Sequence, residues 1–310
     1  MLGSTVWAQQ VNVRITTGGT TGSFFPHGAG MAEYINIHSD FLRATPATSG
    51  GGTENVRRLA TKGAEFGFCY PGDLLLAWNA EEPFKDRIQN LRLVGPGQAA
   101  SIMHMFVLEK SGITSVEQLA GKKFVPSAPG ATAGGRVVFF LKAIGLYDKM
   151  SISYMSWGDL PDRLKTGVID GYARSGPFPV ADIVQISLTH KVRVLDLGPA
   201  MEKSSFLQKY PFMFEEKIPA NTYTGQTKAL TSFSEATFWT AHKDVPDKVV
   251  AEFLRLAYTE ETAKHLDAAY KGHAHRELSM MTKIRSVPLH PAAQKFWKEK
   301  GIQVPEPAVK

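Results

Sequence analysis

The order of elements legible in this 310-residue chain predicts an α/β fold with mostly parallel sheets. Three observations carry that reading. Short apolar runs alternate with longer stretches of helical period. Several strand-to-helix junctions are rich in glycine and hydroxyl residues. Finally, 43% of the residues are apolar and 21% charged, which supplies a sizeable core and an ordinary charged surface. The length is roughly twice that of a typical domain, so two lobes or one large fold is expected.

The elements follow in order. Val11–Ile15 alternates as a strand, and the run TTGGTTGS opens a helix expected over about 25–36. Phe41–Thr45 reads as a strand, and Ser49–Thr53 precedes a helix over 54–62. Phe66–Tyr70 is a short apolar run between Gly63 and Pro71-Gly72, the mark of a buried strand. Leu91–Val94 and Met103–Leu108 add two strands. Thr114 with Glu117 has capping-box spacing, and Gly121 suits a helix end. Strands follow at Lys122–Val125, Ile152–Met155, Ile169–Ala173, Val192–Leu197 and Phe238–Ala241. Helices are expected over 136–144, 160–166 and 246–258.

Composition and charge exclude several classes. With Gly 28, Pro 18 and Cys 1, the chain is neither collagen-like, nor disordered, nor a disulfide scaffold. No apolar stretch reaches the ~20 residues of a membrane helix. The lone Cys69 permits no internal disulfide. A net charge of +6 is mild, and its densest sets, Arg57-Arg58, Lys122-Lys123 and Lys295, Lys298 and Lys300, read as solvated faces, so no nucleic-acid partner is expected. Residues 1–10, MLGSTVWAQQ, fit either the tail of a secretory signal or a start-site remnant.

The chemistry-bearing residues point to binding. Gly18–Ser23, Ser49–Thr53 and Ser127–Gly135 each follow a strand, where open sheets hold their ligands. Glycine lets backbone approach a ligand, and N–H groups at a helix start attract an anion. Together the three loops suggest a site for a small anionic molecule. Gly18–Ser23 lacks both the lysine of a P-loop and dinucleotide-binding spacing, and there is no nucleophile elbow or zincin motif. His273 and His275, with Glu277, have poor ligand spacing for zinc. Cys69 reads as a packing residue, and Asp159 and Asp162 as solvated carboxylates near a helix start. No catalytic residue, metal or cofactor is expected.

Five stretches in order carry a resemblance: ITTGGTTGSFFPHGAGMAEYI, SGGGTENVRRLATKGAEFGF, VLEKSGITSVEQLAGKKFVPSAPGATAGG, NTYTGQ and VPLHPAAQKFWKEKGI. The chain resembles TAXI-type solute receptors of TRAP transporters from about Val11 to Pro305. The resemblance implies a two-lobed periplasmic-binding-protein type II fold, a Venus flytrap. By analogy, lobe one holds 11–100 and 243–310, and lobe two holds 101–242. A hinge is expected near 101–108 and 236–242, with strands near Met103 and Phe238 crossing between the lobes. The implied protein is a periplasmic monomer that closes on a small carboxylate, glutamate-like or 2-oxoglutarate-like, and docks on membrane permease subunits driven by an ion gradient. A receptor of an ATP-driven uptake system is the alternative.

The family pattern maps onto Gly19, Thr20, Ser23 and Phe24, onto Gly50 and Gly51, and onto Pro129, Gly130 and Thr132. Departures stand beside it. Gly52 replaces a usual serine, leaving Thr53 to supply a hydroxyl; Tyr70-Pro71-Gly72-Asp73 replaces a Gln-Ser-Asp run; Ala131 replaces a serine. Arg174, where the family has small residues, is expected at a strand's carboxyl end, where a guanidinium can grip a carboxylate in bidentate fashion. The competing reading pairs it with Asp182. Tyr70 and Tyr223, with Tyr154, Trp157 and Gln226, are wall candidates.

Overall fold

A computed structural model describes residues 10–20, 23–98, 101–127, 132–176, 178–269, 278–307 and 309, with the side chains of residues 132 and 133 excepted. Residues 1–9 of the expected N-terminal remnant, Pro129, Gly130 and Ala131, and the histidines 273 and 275 lie outside the described residues. In chain order the elements are β1 (Val11–Thr16), α1 (Phe24–His38), β2 (Leu42–Ala47), α2 (Gly52–Ala60), β3 (Phe66–Cys69), α3 (Pro71–Asn79), β4 (Leu91–Pro96) and β5 (Ser101–Leu108). Then come β6 (Lys123–Val125), α4 (Thr132–Ala143), β7 (Ser151–Ile152), α5 (Leu160–Lys165), β8 (Gly171–Gly176), α6 (Ala181–Ser187) and β9 (Val192–Val194). The chain continues through α7 (Gly198–Lys203), α8 (Phe206–Lys209), β10 (Phe214–Ile218), β11 (Leu230–Glu235) and β12 (Phe238–His242). It closes with α9 (Asp247–Ala257), α10 (Glu260–Ala269) and α11 (Pro291–Glu299). Among the described residues, no helix is long and apolar enough to cross a membrane.

Two compact units result, one from residues up to Ala99 and from Ala236 onward, the other from Ala100–Glu235. Unit 1 carries a five-stranded sheet of order β2-β1-β3-β12-β4. β1 is parallel to β2 and β3, while β12 runs antiparallel between β3 and β4. Its interior is aromatic. Phe66 stacks on Phe253 at 4.2 Å, Trp239 lies 3.9 Å from Phe68, and both Trp239 and Phe66 are at most 1% exposed. Burying one such side chain contributes about 2–3 kcal/mol. The Trp297 indole N–H donates to the Val94 carbonyl at 2.8 Å, so its burial leaves no donor unmet.

Unit 2 is a mixed sheet of seven strands, β10-β11-β5-β8-β6-β7 with β9 also on β5. β5 is antiparallel to β8, β9 and β11, and only β6 pairs in parallel, with β7 and β8. The expectation of mostly parallel sheets therefore holds for unit 1 and not for unit 2. There the long strand β5 takes antiparallel partners along both edges, and the β10–β11 hairpin extends the sheet.

Other boundaries differ from expectation for local reasons. β12 hydrogen-bonds β3 and β4 and so belongs to unit 1, which moves the return from 242 to 235; β5 lies wholly in the sheet of unit 2. Neither strand is shared between the sheets. The capping box sits one residue later than expected, at Ser115 with Gln118, because the short helical turn starts at Val116. α3 went unread in the sequence because Pro71-Gly72 resembles a turn; proline at the first helical position, with its φ already fixed, starts that helix instead. Strand β8 begins later and runs through Gly176, so Arg174 lies inside it, opposite His104 of β5.

Candidate functional site

In unit 1 the carboxyl ends of β1, β2 and β3 meet around one side chain that sequence reasoning missed. Asn55, fully buried on α2, donates through Nδ2 to the carbonyls of Thr17 (2.6 Å) and Phe68 (2.8 Å). Its Oδ1 accepts from Thr16 Oγ1 at 2.6 Å and lies 2.7 Å from Ser49 Oγ. Ser49 Oγ is also 3.0 Å from the Thr17 carbonyl and accepts from the Gly51 N–H at 3.0 Å. One amide thus fixes three strand ends and two glycine loops. A signal was available: Asn55 shares with Leu59, four residues on, the buried face of a helix otherwise rich in charge.

The loop backbones are shaped by what surrounds them. Gly51 has φ of 107°, which only glycine adopts readily, and it caps α2. At Gly52, a Cβ would stand 2.6 Å from Asp73 Oδ2 and 2.9 Å from the Tyr70 ring. The missing hydroxyl at position 52 and the Tyr70–Asp73 departure are therefore one feature: the tyrosine and the aspartate occupy the space a serine would need. Tyr70, half-buried as the N-cap of α3, packs its ring 5.8 Å from Phe24, which is itself buried against Phe68 at 5.2 Å. Thr53 is half-buried and makes no side-chain hydrogen bond among the described residues.

The starts of α1, α2 and α3 differ in charge. α2 carries Glu54, whose carboxylate accepts from the Gly50 N–H at 2.7 Å and pairs with Arg58; α3 carries Asp73. The first turn of α1 has no acid, and Gly19 and Thr20 before it are exposed. An internal carboxylate already answers the positive end of α2 and of α3, so a ligand anion is best met at α1. Ser23, its N-cap, donates through Oγ to Gln98 Oε1 at 3.0 Å, and Gln98 Nε2 returns a bond to the Ser23 carbonyl at 2.8 Å. Gln98 also went unnoticed in the sequence.

In unit 2, Arg174 is already engaged. Nε lies 2.9 Å from Asp182 Oδ2, Nη2 lies 3.3 Å from Oδ1, and the guanidinium covers the Trp157 ring at 4.3 Å. Tyr172 donates its hydroxyl to the same carboxylate at 3.2 Å; burial, then the Asp182 charge, push that phenol far above its ordinary range. Asp182 pairs with Arg174 while the arginine side chain keeps 27% of its surface exposed. Thr132 starts α4, so the helix opens inside the third glycine run, ahead of the start expected at 136.

Tyr223 is built into the core of unit 2: 6% exposed, its oxygen accepts from the Val180 N–H at 2.9 Å, and burial raises it to about 12. Gln226 braces its own loop, donating to the carbonyls of Pro219 and Lys228 at 2.9 Å each. Tyr154 is 46% exposed. His104, fully buried, lies edge-on to Tyr223; its Nδ1 is 3.0 Å from the Ile102 carbonyl, and burial lowers it to about 4, so it is neutral near pH 7.

Cys69 is fully buried in β3; burial, then the Asp73 charge, push its thiol up, which suits packing and disfavours a thiolate nucleophile. Among the described residues, no group of three or more His, Cys, Asp or Glu is placed to hold a metal ion.

Comparison with known proteins bears on the fold. The chain is similar in fold to XAC2383 from Xanthomonas citri bound to ATP, at 10% identity over 93% of this chain and 94% of that one, with a TM-score of 0.55. It is likewise similar to a putative periplasmic sulfonate-binding protein of an ABC transporter from Methylobacillus flagellatus KT, at 13% identity over 95% and 88%, TM-score 0.52. At such identities the likeness is one of fold, that of the periplasmic binding proteins, and it agrees with the fold class expected from the sequence. The model of the NMT1-like family matches residues 15–301, which include every loop described above, and the chain belongs to that family.

Proposed function

We propose that this chain is the solute receptor of a membrane transporter, acting in the periplasm by binding without chemistry. In its finer form, the proposal is a TAXI-type receptor of a TRAP transporter. It captures a small carboxylate, glutamate-like or 2-oxoglutarate-like, between two lobes and hands it to permease subunits driven by an ion gradient. The observation that carries it is the convergence of two glycine loops and the end of β3 on Asn55, beside a helix start with no acid of its own. Arg174, in contact with both Asp182 and Trp157, supports the reading as a second cationic element, and NMT1-like membership agrees with a binding role.

The test is native mass spectrometry of co-purified ligand, with a thermal-shift panel of L-glutamate, 2-oxoglutarate and taurine. At a ligand concentration of 100 times Kd, binding stabilises the fold by about 2.7 kcal/mol, which raises the midpoint. A shift with either carboxylate and none with taurine supports the proposal. A shift with taurine alone would replace it by a sulfonate receptor of an ATP-driven system, the role named for the Methylobacillus flagellatus neighbour. A shift with a neutral metabolite alone would overturn the anion reading.

A further inference from the structure

Within unit 2, two strands share one edge of β5. β8 pairs along the other edge, from Ile102 to Val107. On the shared edge β11 meets Ser101 and Ile102, and β9 meets Phe106–Leu108. Past β9, the Leu197 N–H donates to the Thr231 carbonyl at 2.9 Å and so joins that stretch to β11. Beyond this junction lies a groove of about 600 Å³, with β9 on one side and residues 223–228, the loop leading into β11, on the other. That loop is a braced wall: Gln226 ties it to the carbonyls of Pro219 and Lys228, and Tyr223 ties it to Val180.

The backbone of β9 has an open side. In an antiparallel ladder every second pair of residues exchanges hydrogen bonds, and the residues between turn their N–H and C=O the other way. The Glu109 N–H donates to the Lys191 carbonyl at 2.8 Å and the Leu195 N–H to the Met105 carbonyl at 2.9 Å. The register therefore makes Arg193 the exchanging residue of β9, and Val192 and Val194 direct their backbone groups away from β5. Both valines line the groove. Among the described residues β9 pairs with no second strand, and these backbone groups have no partner. Val194 is 8% exposed, and backbone groups at such burial are nearly always paired.

Side chains alternate across the strand. Val192 and Val194 pack with the apolar cluster that also takes Leu230 and Tyr223, which leaves Lys191 and Arg193 on the opposite face. The two acids of the groove are already answered. Glu109 accepts from Arg193 at 3.1 Å, and Asp196 accepts from the N–H groups of Gly198 and Thr231 at 3.0 Å each. Lys191 and Lys228 line the groove, are exposed, and form no ion pair among the described residues.

We propose that β9 is a docking edge for an extended segment of a partner protein, one that alternates apolar and acidic residues and adds to β9 as a further strand. Its backbone pairs with Val192 and Val194, its carboxylates meet Lys191 and Lys228, and its apolar residues turn toward Leu230. A short edge strand is a usual guard against uncontrolled pairing; recessed beside a braced loop, this one admits a single segment and excludes a second sheet.

The probe is the N-acetylated, C-amidated peptide Thr-Val-Glu-Val-Glu-Thr, titrated into the isotope-labelled full chain and followed by amide NMR. Shifts at Val192 and Val194 are expected, with exchange of those amides slowed at least about tenfold. The same peptide with lysine in place of glutamate should bind at least about tenfold more weakly. Of two further peptides, N-methylated at both valines or at both glutamates, at least one should lose about tenfold in affinity; if both match the parent, no strand forms and the proposal is overturned. Val192→Pro removes an N–H that the β5 ladder does not use, and should abolish binding. Lys191→Glu/Lys228→Glu should weaken binding at least about tenfold, and decides the matter if the proline variant fails to fold. Shifts confined to other amides, or equal affinity for the lysine peptide, would overturn the proposal. So would a concentration-dependent dimer in sedimentation that Val192→Pro dissolves, which would give the edge to a second copy of this chain.

Discussion

Replacing Asn55 with alanine removes the amide that holds the ends of β1, β2 and β3. Two carbonyls lose a donor and two hydroxyls lose an acceptor, in a residue with no solvent exposure. A net hydrogen bond contributes about 1 kcal/mol, and a stranded buried group costs about 1–3 kcal/mol. Some partners recover: Ser49 Oγ can donate to the Thr17 carbonyl at 3.0 Å, whereas the Thr16 hydroxyl, which only accepts from the Arg58 guanidinium at 3.3 Å, loses the acceptor of its own proton. The Phe68 carbonyl has no such substitute among the side-chain bonds, so the expected loss is about 3 kcal/mol. The assay is amide exchange of peptides covering 11–17, 42–51 and 66–69, where that loss appears as roughly 100-fold faster exchange. Thr53→Ala, two residues away and without a side-chain bond, serves as the control and stays within about 0.5 kcal/mol. If Asn55→Ala matches that control, the amide is not the organiser of the loops.

Three further outcomes follow from the same structure. Gly52→Ser is expected to destabilise by about 1–3 kcal/mol, as overpacking does, with part of the loss recovered in Gly52→Ser/Asp73→Ala; urea unfolding of both variants checks it, and absence of recovery removes the steric link to Asp73. Arg174→Ala is expected to weaken carboxylate binding at least tenfold, about 1.4 kcal/mol, and Arg174→Lys to lose much of the same, because neither the fork to Asp182 nor the Trp157 stack survives; unchanged affinity by calorimetry refutes the role. His104 has its folded pKa lowered from 6.5 to about 4, so between those values the unfolded chain holds more protons and stability rises with pH. Lowering the pH from 7 to 5 should therefore cost roughly 2 kcal/mol through this residue, and His104→Asn should abolish that part of the slope in urea unfolding.

What was legible in the sequence depended on burial. β1, β3 and β5 stood out because their residues are apolar where neighbours cover them, and the glycine loops because backbone constraints allow little else. The β10–β11 hairpin was not read: FEEKI and LTSFSE carry polar residues through much of their length, which gives a weak strand signal. The glycine loops after β1 and β2 were placed correctly at strand ends, yet their organiser was not, since an asparagine inside a charged helix reads as solvated until the carbonyls above it are known. Arg174 shows the limit from the other side. Asp182 was foreseen as a competing partner, and the structure adds that pairing and exposure coexist.

The position of β12 has a consequence for how the chain acquires its structure. It lies between β3 and β4, yet about 140 residues of sequence separate it from β4, and all of unit 2 is synthesised in between. As the chain leaves the ribosome, the first four strands of unit 1 wait with the facing edges of β3 and β4 unpaired until Phe238–His242 emerges. Unit 2 is continuous from Ala100 to Glu235 and can complete its own sheet first. The unit that is split in sequence by the other is thus the one whose fold is finished last.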